Sequence, residues 1–451
     1  MMNLTFSIKF IHTADIHLGS MLNIYDEKLK DNENIFKNAV YEAFERIVDY
    51  ALEFKIDFLL ISGDLYDRDA KSIKANSFFN LQCNRLLKAN INVYIIAGNH
   101  DPFVGKREIF KLPDNVFVCD SEQCSEFQIK DKSLNIIARV YGNSYRGKAD
   151  SRKLYNSYNP PEDSVFNIAM LHTELNPNNF NYVPCTLENL KAKEKISYWA
   201  LGHIHKCKIL NRSKPIIAYS GIPQGRDIGE EGVGGCLLVE VDEANKTFIK
   251  FLPTASIAWE KVYININENS NAEPKNLTEL IELIEHKAQN ILYKIEDIPC
   301  ELSSESDLNN CLKGYAVRWI IEGRGHIKTI FEEGEDNLEE IIKESLNSKL
   351  MNYSPVIYTD SIDVRIEKEM PNIEEFRNSN NIIKEIEELC DEISKDGSLK
   401  EEISATFGQV WEKNYDLENT NDLKMQLDEE SFKEILRKAR ELIIYRLMEE
   451  S

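Results

Sequence analysis

The chain of 451 residues carries 54 Lys and Arg against 76 Asp and Glu, a net charge of −22, with 42% hydrophobic and 10% aromatic residues. That composition excludes an intrinsically disordered chain, and no apolar run approaches the roughly 18 residues of a membrane span. Nine cysteines, odd in number and without a Cys-x-x-Cys pair, argue against a zinc ribbon or a disulfide framework and fit reduced thiols in a cytoplasm. The first residues show no basic start, long apolar stretch or cleavage site, so no signal peptide is expected. Charge is unevenly spread: residues 1–260 hold 31 basic and 33 acidic side chains, residues 261–451 hold 23 and 43. A polyanion is tolerated by the first part and repelled by the second, so a nucleic acid would bind the first.

In chain order, the apolar run 8–11 predicts a strand that leads to Asp15-Ile16-His17. Phe36, Val40, Phe44, Ile47, Val48 and Ala51 then recur at helical spacing. A strand over 58–61 leads to Gly63-Asp64-Leu65-Tyr66-Asp67, and a helix over 73–88 precedes a strand over 93–97 that leads to Gly98-Asn99-His100-Asp101. This βαβαβ order predicts parallel strands with right-handed crossovers. Short strands follow over 115–119, 133–140, 165–171, 216–219, 235–241 and 248–252. His172 comes directly after the apolar run 166–171, and Gly202-His203-Ile204-His205 after 198–201. The expected fold is α/β: two packed sheets with outer helices over 1–256, then a small α+β domain over 257–370, then an acidic helical region over 371–451. In the last region Ile382, Ile386, Leu389 and Ile393 repeat at four- and three-residue steps, as do Phe432, Ile435, Ala439, Leu442 and Arg446 in part.

Five polar blocks thus follow five apolar runs, and strands would deliver them all to one sheet edge. Together they supply two aspartates, one asparagine and four histidines as metal ligands, plus a spare histidine: Asp15, His17, Asp64, Asn99, His172, His203 and His205, with His100 left over. Hard or borderline divalent ions want such oxygen and imidazole donors, and a bridging carboxylate can hold two ions together. Asp15 and His17, like His203 and His205, sit two apart, on the same side of an extended segment. No cysteine adjoins a ligand. The pattern predicts a two-metal phosphoesterase.

The flanks narrow this further. His12-Thr13-Ala14-Asp15-Ile16-His17-Leu18-Gly19, Gly63-Asp64-Leu65-Tyr66-Asp67-Arg68, Gly98-Asn99-His100-Asp101-Pro102 and the stretch from Tyr219 to Glu230 resemble the SbcD-like DNA repair exonucleases of the calcineurin-like metallophosphoesterase superfamily. The resemblance is strong over about 1–255, weaker over a capping domain at about 260–370 and faint beyond. It implies a two-sheet metallophosphoesterase sandwich holding two ions, usually manganese. Asp15, His17, Asp64 and His205 would hold one ion; Asp64, as a bridge, would hold the other with Asn99, His172 and His203. Both ions would stabilise charge on the phosphoryl oxygens. His100 is implied as the general acid for the departing sugar oxygen, with Asp67 orienting its imidazole. Asp101 supports its neighbours rather than ligating, and His12 is read as a buried, hydrogen-bonded histidine. Arg68 and Arg226 either meet phosphate or pair with nearby carboxylates. Basic clusters at 146–153, Lys106-Arg107 and 206–208 are candidates for the DNA backbone.

The resulting expectation is a cytoplasmic, manganese-dependent DNA nuclease that hydrolyses phosphodiester bonds at DNA ends in repair. Its partners would be DNA and an SbcC-like ATPase, with a homodimer as one oligomeric state and no membrane. The C-terminal helices either dock on their own core or offer amphipathic faces to the ATPase. Two alternatives stay open. One is a dimetal phosphodiesterase or phosphatase acting on small nucleotides or phosphoproteins, since protein phosphatases share Gly-Asp-x-x-Asp-Arg. The other is a non-catalytic DNA-end binding scaffold, although such scaffolds tend to lose ligands and none is missing here.

Overall fold

Alternation within the apolar runs sets the layering. The computed structural model of the chain describes residues 6–24, 33–67, 72–102, 111–176, 180–268, 273–291, 311–333, 337–368, 381–406 and 429–449. Strands β1 (Phe6–Thr13), β2 (Phe58–Ser62), β3 (Asn92–Ile96) and β4 (Val116–Val118) run parallel. Helices α1 (Glu33–Glu53) and α2 (Ile73–Lys88) lie between the first three in the chain. A second sheet is built from β5 (Ser125–Lys130), β6 (Ile136–Gly142), β7 (Phe166–His172), β8 (Tyr198–Gly202), β9 (Lys208–Asn211) and β10 (Ile216–Tyr219), in the order β5-β6-β7-β8-β10-β9. Its four central strands are parallel and its two edges antiparallel. The short helix α3 (Leu187–Lys191) lies between β7 and β8 in the chain. The chain then returns to the first sheet as β11 (Gly235–Asp242) and β12 (Thr247–Pro253), both antiparallel to their neighbours, giving β12-β11-β1-β2-β3-β4. The expected two-sheet α/β sandwich is what forms.

Phe58 and Leu60 of β2 face the second sheet, among Phe10, Ile96, Ile168, Met170 and Ala200. Leu59 and Ile61 face the other way, onto Val40, Phe44 and Ile47 of α1 and Phe79 and Leu86 of α2. A strand buried on both faces reads as a continuous apolar run, which is why these segments are so legible. Phe10 and Phe58 stack with centroids 5.2 Å apart, and Tyr198 meets Phe10 edge-on at 5.4 Å. Burial of each such ring contributes about 1.5–3 kcal/mol. On the outer face of the second sheet, Ala169, Leu171, Trp199 and Leu201 pack with Tyr145, Tyr155, Tyr158 and Leu190.

A three-stranded sheet follows, β13 (Ile257–Asn265), β14 (Gly314–Arg324) and β15 (Val356–Glu367), with β13 and β14 parallel. Ile257, Trp259, Ala316 and Tyr358 from it pack with Leu22 and with Phe36 and Ala39 of α1. The described parts of Met1–Asn265, Pro274–Glu322 and Glu335–Arg365 form one compact unit, which therefore includes most of this sheet. It also includes α4 (Leu277–Ile291); α5 (Ile327–Glu333) falls in the other unit, and α6 (Leu338–Leu350) in the first.

The second unit gathers Ile266–Glu273, Gly323–Gly334 and the described part of Ile366–Ser451. Its helices α7 (Asn381–Lys395), α8 (Gly397–Thr406) and α9 (Glu429–Glu449) include a packed pair, α7 with α9. The expected stripe on α7 is only partly inward: Ile386 and Ile393 are half-buried, Ile382 is 49% and Leu389 53% exposed, and the buried residue is Ile383, outside the stripe. No helix among the described residues is long and apolar enough to cross a membrane.

Candidate metal centre

All five blocks leave their strands at carboxyl ends. β1, β2 and β3 deliver Asp15 and His17, Asp64 and Asp67, and Asn99 and His100 from one sheet; β7 and β8 deliver His172, His203 and His205 from the other. Backbone bonds from Asp15 N to the Gly63 carbonyl and from His17 N to the Asp64 carbonyl, both 3.0 Å, lock the first two loops together. The local backbone is strained: Asp15, His17, Asp64 and His203 have φ of 52°, 48°, 52° and 99°. A left-handed residue other than glycine costs about 1–3 kcal/mol and persists only where its surroundings enforce it. Glycines provide room for the polar side chains. A Cβ on Gly98 would lie 2.2 Å from Asp64 Oδ1, and one on Gly63, itself at φ +97°, would lie 2.2 Å from His172 Nδ1.

Asp64 lies between the two halves of the cluster. Its Oδ1 accepts the His100 backbone N–H at 2.9 Å, and its Oδ2 is 3.3 Å from His172 Nε2. His172 Nε2 and His203 Nδ1 approach Asn99 Oδ1 at 2.9 and 3.2 Å. Ligand atoms of Asp15, His17 and His205 lie within 4.8 Å of one another, and so do those of Asp15, Asp64 and His172. The structure therefore brings all seven predicted ligands into one cluster, with Asp15, His17, Asp64 and His172 buried and Asn99, His203 and His205 half-buried.

That cluster suits cations. Neither ring nitrogen of the buried His17 has a hydrogen-bond partner among the described residues. Asp15 and Asp64 are 0% and 1% exposed, and no Lys or Arg pairs with either among the described residues. Asp64 meets His172 and the His100 N–H, and Asp15 the His203 N–H at 2.9 Å, but a buried imidazole such as His17 with both nitrogens unmatched is rare unless something answers it. Carboxylate, amide oxygen and imidazole, with no thiolate, fit two hard or borderline divalent ions. Burial, aided by Arg226, holds His17 down at about 3, and burial with His172 nearby holds His203 at about 3, so both rings are neutral as ligation requires. Burial also pushes the Asp15 carboxyl up. It opposes charge on His172 too, but the Asp64 carboxylate outweighs it and raises that ring to about 9. A cation bound here would displace that proton.

His100 sits at the lip, its side chain 41% exposed, with its ring edge-on to His17 at 4.9 Å. Its Nδ1 is 3.1 Å from Asp67 Oδ1, and Asp67 Oδ2 is 3.3 Å from Arg226 Nη1. Asp101 is occupied otherwise: its oxygens accept the backbone N–H groups of Gly98 and Tyr66 at 2.8 and 3.1 Å, and burial pushes its carboxyl up to about 7. His12 is buried, between the Tyr198 hydroxyl on Nδ1 at 3.0 Å and the Leu201 carbonyl on Nε2 at 3.1 Å. Of the basic residues, Arg226 pairs with Asp67 and Glu230, Arg146 with Glu122 and Arg152 with Asp150. Arg68, Lys106 and Arg107 lie outside the described residues.

Sequence reasoning missed Glu230. Its Oε1 lies 2.5 Å from His205 Nδ1, which leaves Nε2 facing Asp15 Oδ1 at 3.8 Å. Burial pushes Glu230 up, but the His205 bond and Arg226 bring it down to about 2. Its place in the stretch from Tyr219 was the only signal. Tyr182, with its ring 4.8 Å from that of His203, carried none.

Residues 8–207 match the family model of the calcineurin-like phosphoesterases. The chain is 32% identical over 320 residues to an uncharacterized metallophosphoesterase, YhaO, of Bacillus subtilis (strain 168), covering 70% of this chain and 74% of that protein. It is 33% identical over 218 residues to a DNA double-strand break repair protein Mre11 of Methanocaldococcus jannaschii, but covers only 55% of that protein with 47% of itself. The Mre11 of Methanococcus maripaludis is 24% identical over 380 residues, 76% of this chain and 92% of that one. Sandwich, carboxylate–imidazole cluster and matches agree: the chain belongs to the calcineurin-like phosphoesterase family, as a metallophosphoesterase with a candidate dimetal site.

Proposed function

We propose that this metallophosphoesterase is a manganese-dependent DNA nuclease of the SbcD-like kind, cleaving phosphodiester bonds at DNA ends in cytoplasmic repair. The observation that carries the reading is His100, a half-exposed imidazole held by Asp67 at the lip of the cluster. Likeness to two proteins named for DNA double-strand break repair supports DNA as the substrate. Asp15, His17, Asp64 and His205 would hold one ion, and Asp64, Asn99, His172 and His203 the other. Bound there, the ions would supply Lewis-acid stabilisation of charge on the phosphoryl oxygens.

The chain itself manages the proton. Asp67 accepts from Nδ1 of His100, which fixes the ring and leaves Nε2 for the substrate. Protonated, Nε2–H donates to the departing sugar oxygen. Residues 257–370 would cap the nuclease domain of 1–256. The region 371–451 would dock an SbcC-like ATPase through Ile382, Leu389, Leu442 and Ile443, which are 47–56% exposed. A homodimer is part of the same reading.

End-labelled single- and double-stranded DNA, incubated with the chain and manganese, should be cleaved, and an aryl phosphodiester turned over more slowly. Robust turnover of the small ester without DNA cleavage would refute the nuclease reading. Unchanged ATPase co-purification after deletion of 371–451 would refute the docking role.

A further inference from the structure

The loop 224–230 links the two working halves of the site without supplying a ligand itself. Arg226 reaches Asp67 Oδ2 through Nη1 at 3.3 Å and Glu230 Oε1 through Nη2 at 3.2 Å, while its backbone N–H donates to Glu230 Oε2 at 2.6 Å. Asp67 holds His100, and Glu230 holds His205. A continuous polar chain therefore runs from His100 through Asp67, Arg226 and Glu230 to His205 and on toward Asp15. Arg226 is only 16% exposed and Glu230 11%, which favours positioning over contact with a solvent-borne phosphate.

The loop is itself pinned. Gln224 Oε1 accepts the backbone N–H groups of Ser256 and Ile257 at 2.8 and 3.1 Å, and its Nε2 donates to the Ile257 carbonyl at 2.8 Å. Trp259 Nε1 donates to the Gly225 carbonyl at 2.9 Å. On the other side, Asn23 N donates to the Arg226 carbonyl at 2.8 Å. The start of β13 thereby fixes where Arg226 and Glu230 stand.

We propose that Glu230 and Arg226 are positioning residues: Glu230 fixes His205 with Nε2 turned inward for one ion, and Arg226 ties that carboxylate to the Asp67–His100 pair. This rests on the dimetal reading of the site. Imidazole ligands commonly donate their second N–H to a carboxylate, and removing such a partner costs 10–100-fold in metal affinity. Arg226 bridges two carboxylates, Nη1 to Asp67 and Nη2 to Glu230, a fixed span that lysine, a point charge, cannot reproduce.

Calorimetric titration of the full chain with manganese tests this without any DNA. Wild type should bind two ions. Glu230→Gln should lose about 10–100-fold at one of them and keep the other, whereas a misfolded variant would lose both. Arg226→Lys should weaken the same ion and also lower kcat on DNA with KM unchanged. Wild-type affinity at both ions in Glu230→Gln, or equal loss at both in a variant with wild-type circular dichroism, would overturn the proposal. Wild type that binds two ions yet leaves DNA intact would instead overturn the nuclease reading, with the positioning role still measured.

Discussion

His172 Nδ1 lies 3.0 Å from the Ser62 carbonyl, a bond that ties the carboxyl end of β7 in one sheet to that of β2 in the other. The carbonyl can only accept, so Nδ1 carries the hydrogen and Nε2 points into the cluster. The bond exists because Gly63 leaves room beside the ring. Gly63→Ala should therefore do double damage, forcing a left-handed backbone on alanine and driving Cβ against His172 Nδ1. We expect a loss of at least ~2 kcal/mol in urea unfolding of the metal-free chain, together with weaker manganese binding. Wild-type stability in that variant would contradict the packing described.

His100→Asn should retain two-ion binding by calorimetry and lose about 10²–10⁴ in kcat on DNA, the usual contribution of a positioned acid. Asp67→Asn should fall between this variant and wild type, because the ring remains but the bond that orients it is altered. Full activity in His100→Asn would remove this residue from the assigned role.

Metal removal should show in stability. Manganese at a hundred times its Kd should stabilise the folded chain by about 2.7 kcal/mol for each ion bound, read as a rise in Tm that chelation reverses. In Asp64→Asn, where both halves of the cluster lose their shared carboxylate, that rise should vanish. A persistent, full-sized shift would show that the ions bind elsewhere.

His12 makes a pH prediction that does not involve the ligands. Burial lowers it from 6.5 to about 3, so the neutral ring donates to Leu201 and accepts from Tyr198. Between those pH values the unfolded chain binds a proton that the folded chain refuses. Its contribution to stability is thus complete above 6.5 and is lost as pH falls toward 3, at about 1.4 kcal/mol per pH unit within the interval. His12→Gln should show a shallower acid slope in urea melts at pH 7.0, 6.0 and 5.0; parallel slopes would exclude this account.

The strands that carry the site were readable because burial on both faces makes an unbroken apolar run, and the polar block that ends each run marks a carboxyl edge. The edge strands β5 and β9 were not read. In β5 only Phe127 and Ile129 turn inward, and β9 has four residues with none fully buried, so neither stands out from its flanking turns. Glu230 was hidden for another reason: its partner His205 lies 25 residues earlier, and Gln224, Trp259 and Arg226 set the conformation that joins them. On α7 the heptad-like spacing gave a stripe but not its orientation, and the residue that is buried, Ile383, is outside the expected set.

Because the two sheets each bring part of the cluster, the order of synthesis bears on when it can form. A nascent chain that has folded only β1 to β3 carries Asp15, His17, Asp64 and Asn99 but no His172, His203 or His205. Each imidazole that completes either half arrives more than 70 residues after Asn99 in the chain. A chain interrupted before His205 therefore lacks at least one ligand of the cluster, and all seven are present once less than half of the chain has been made.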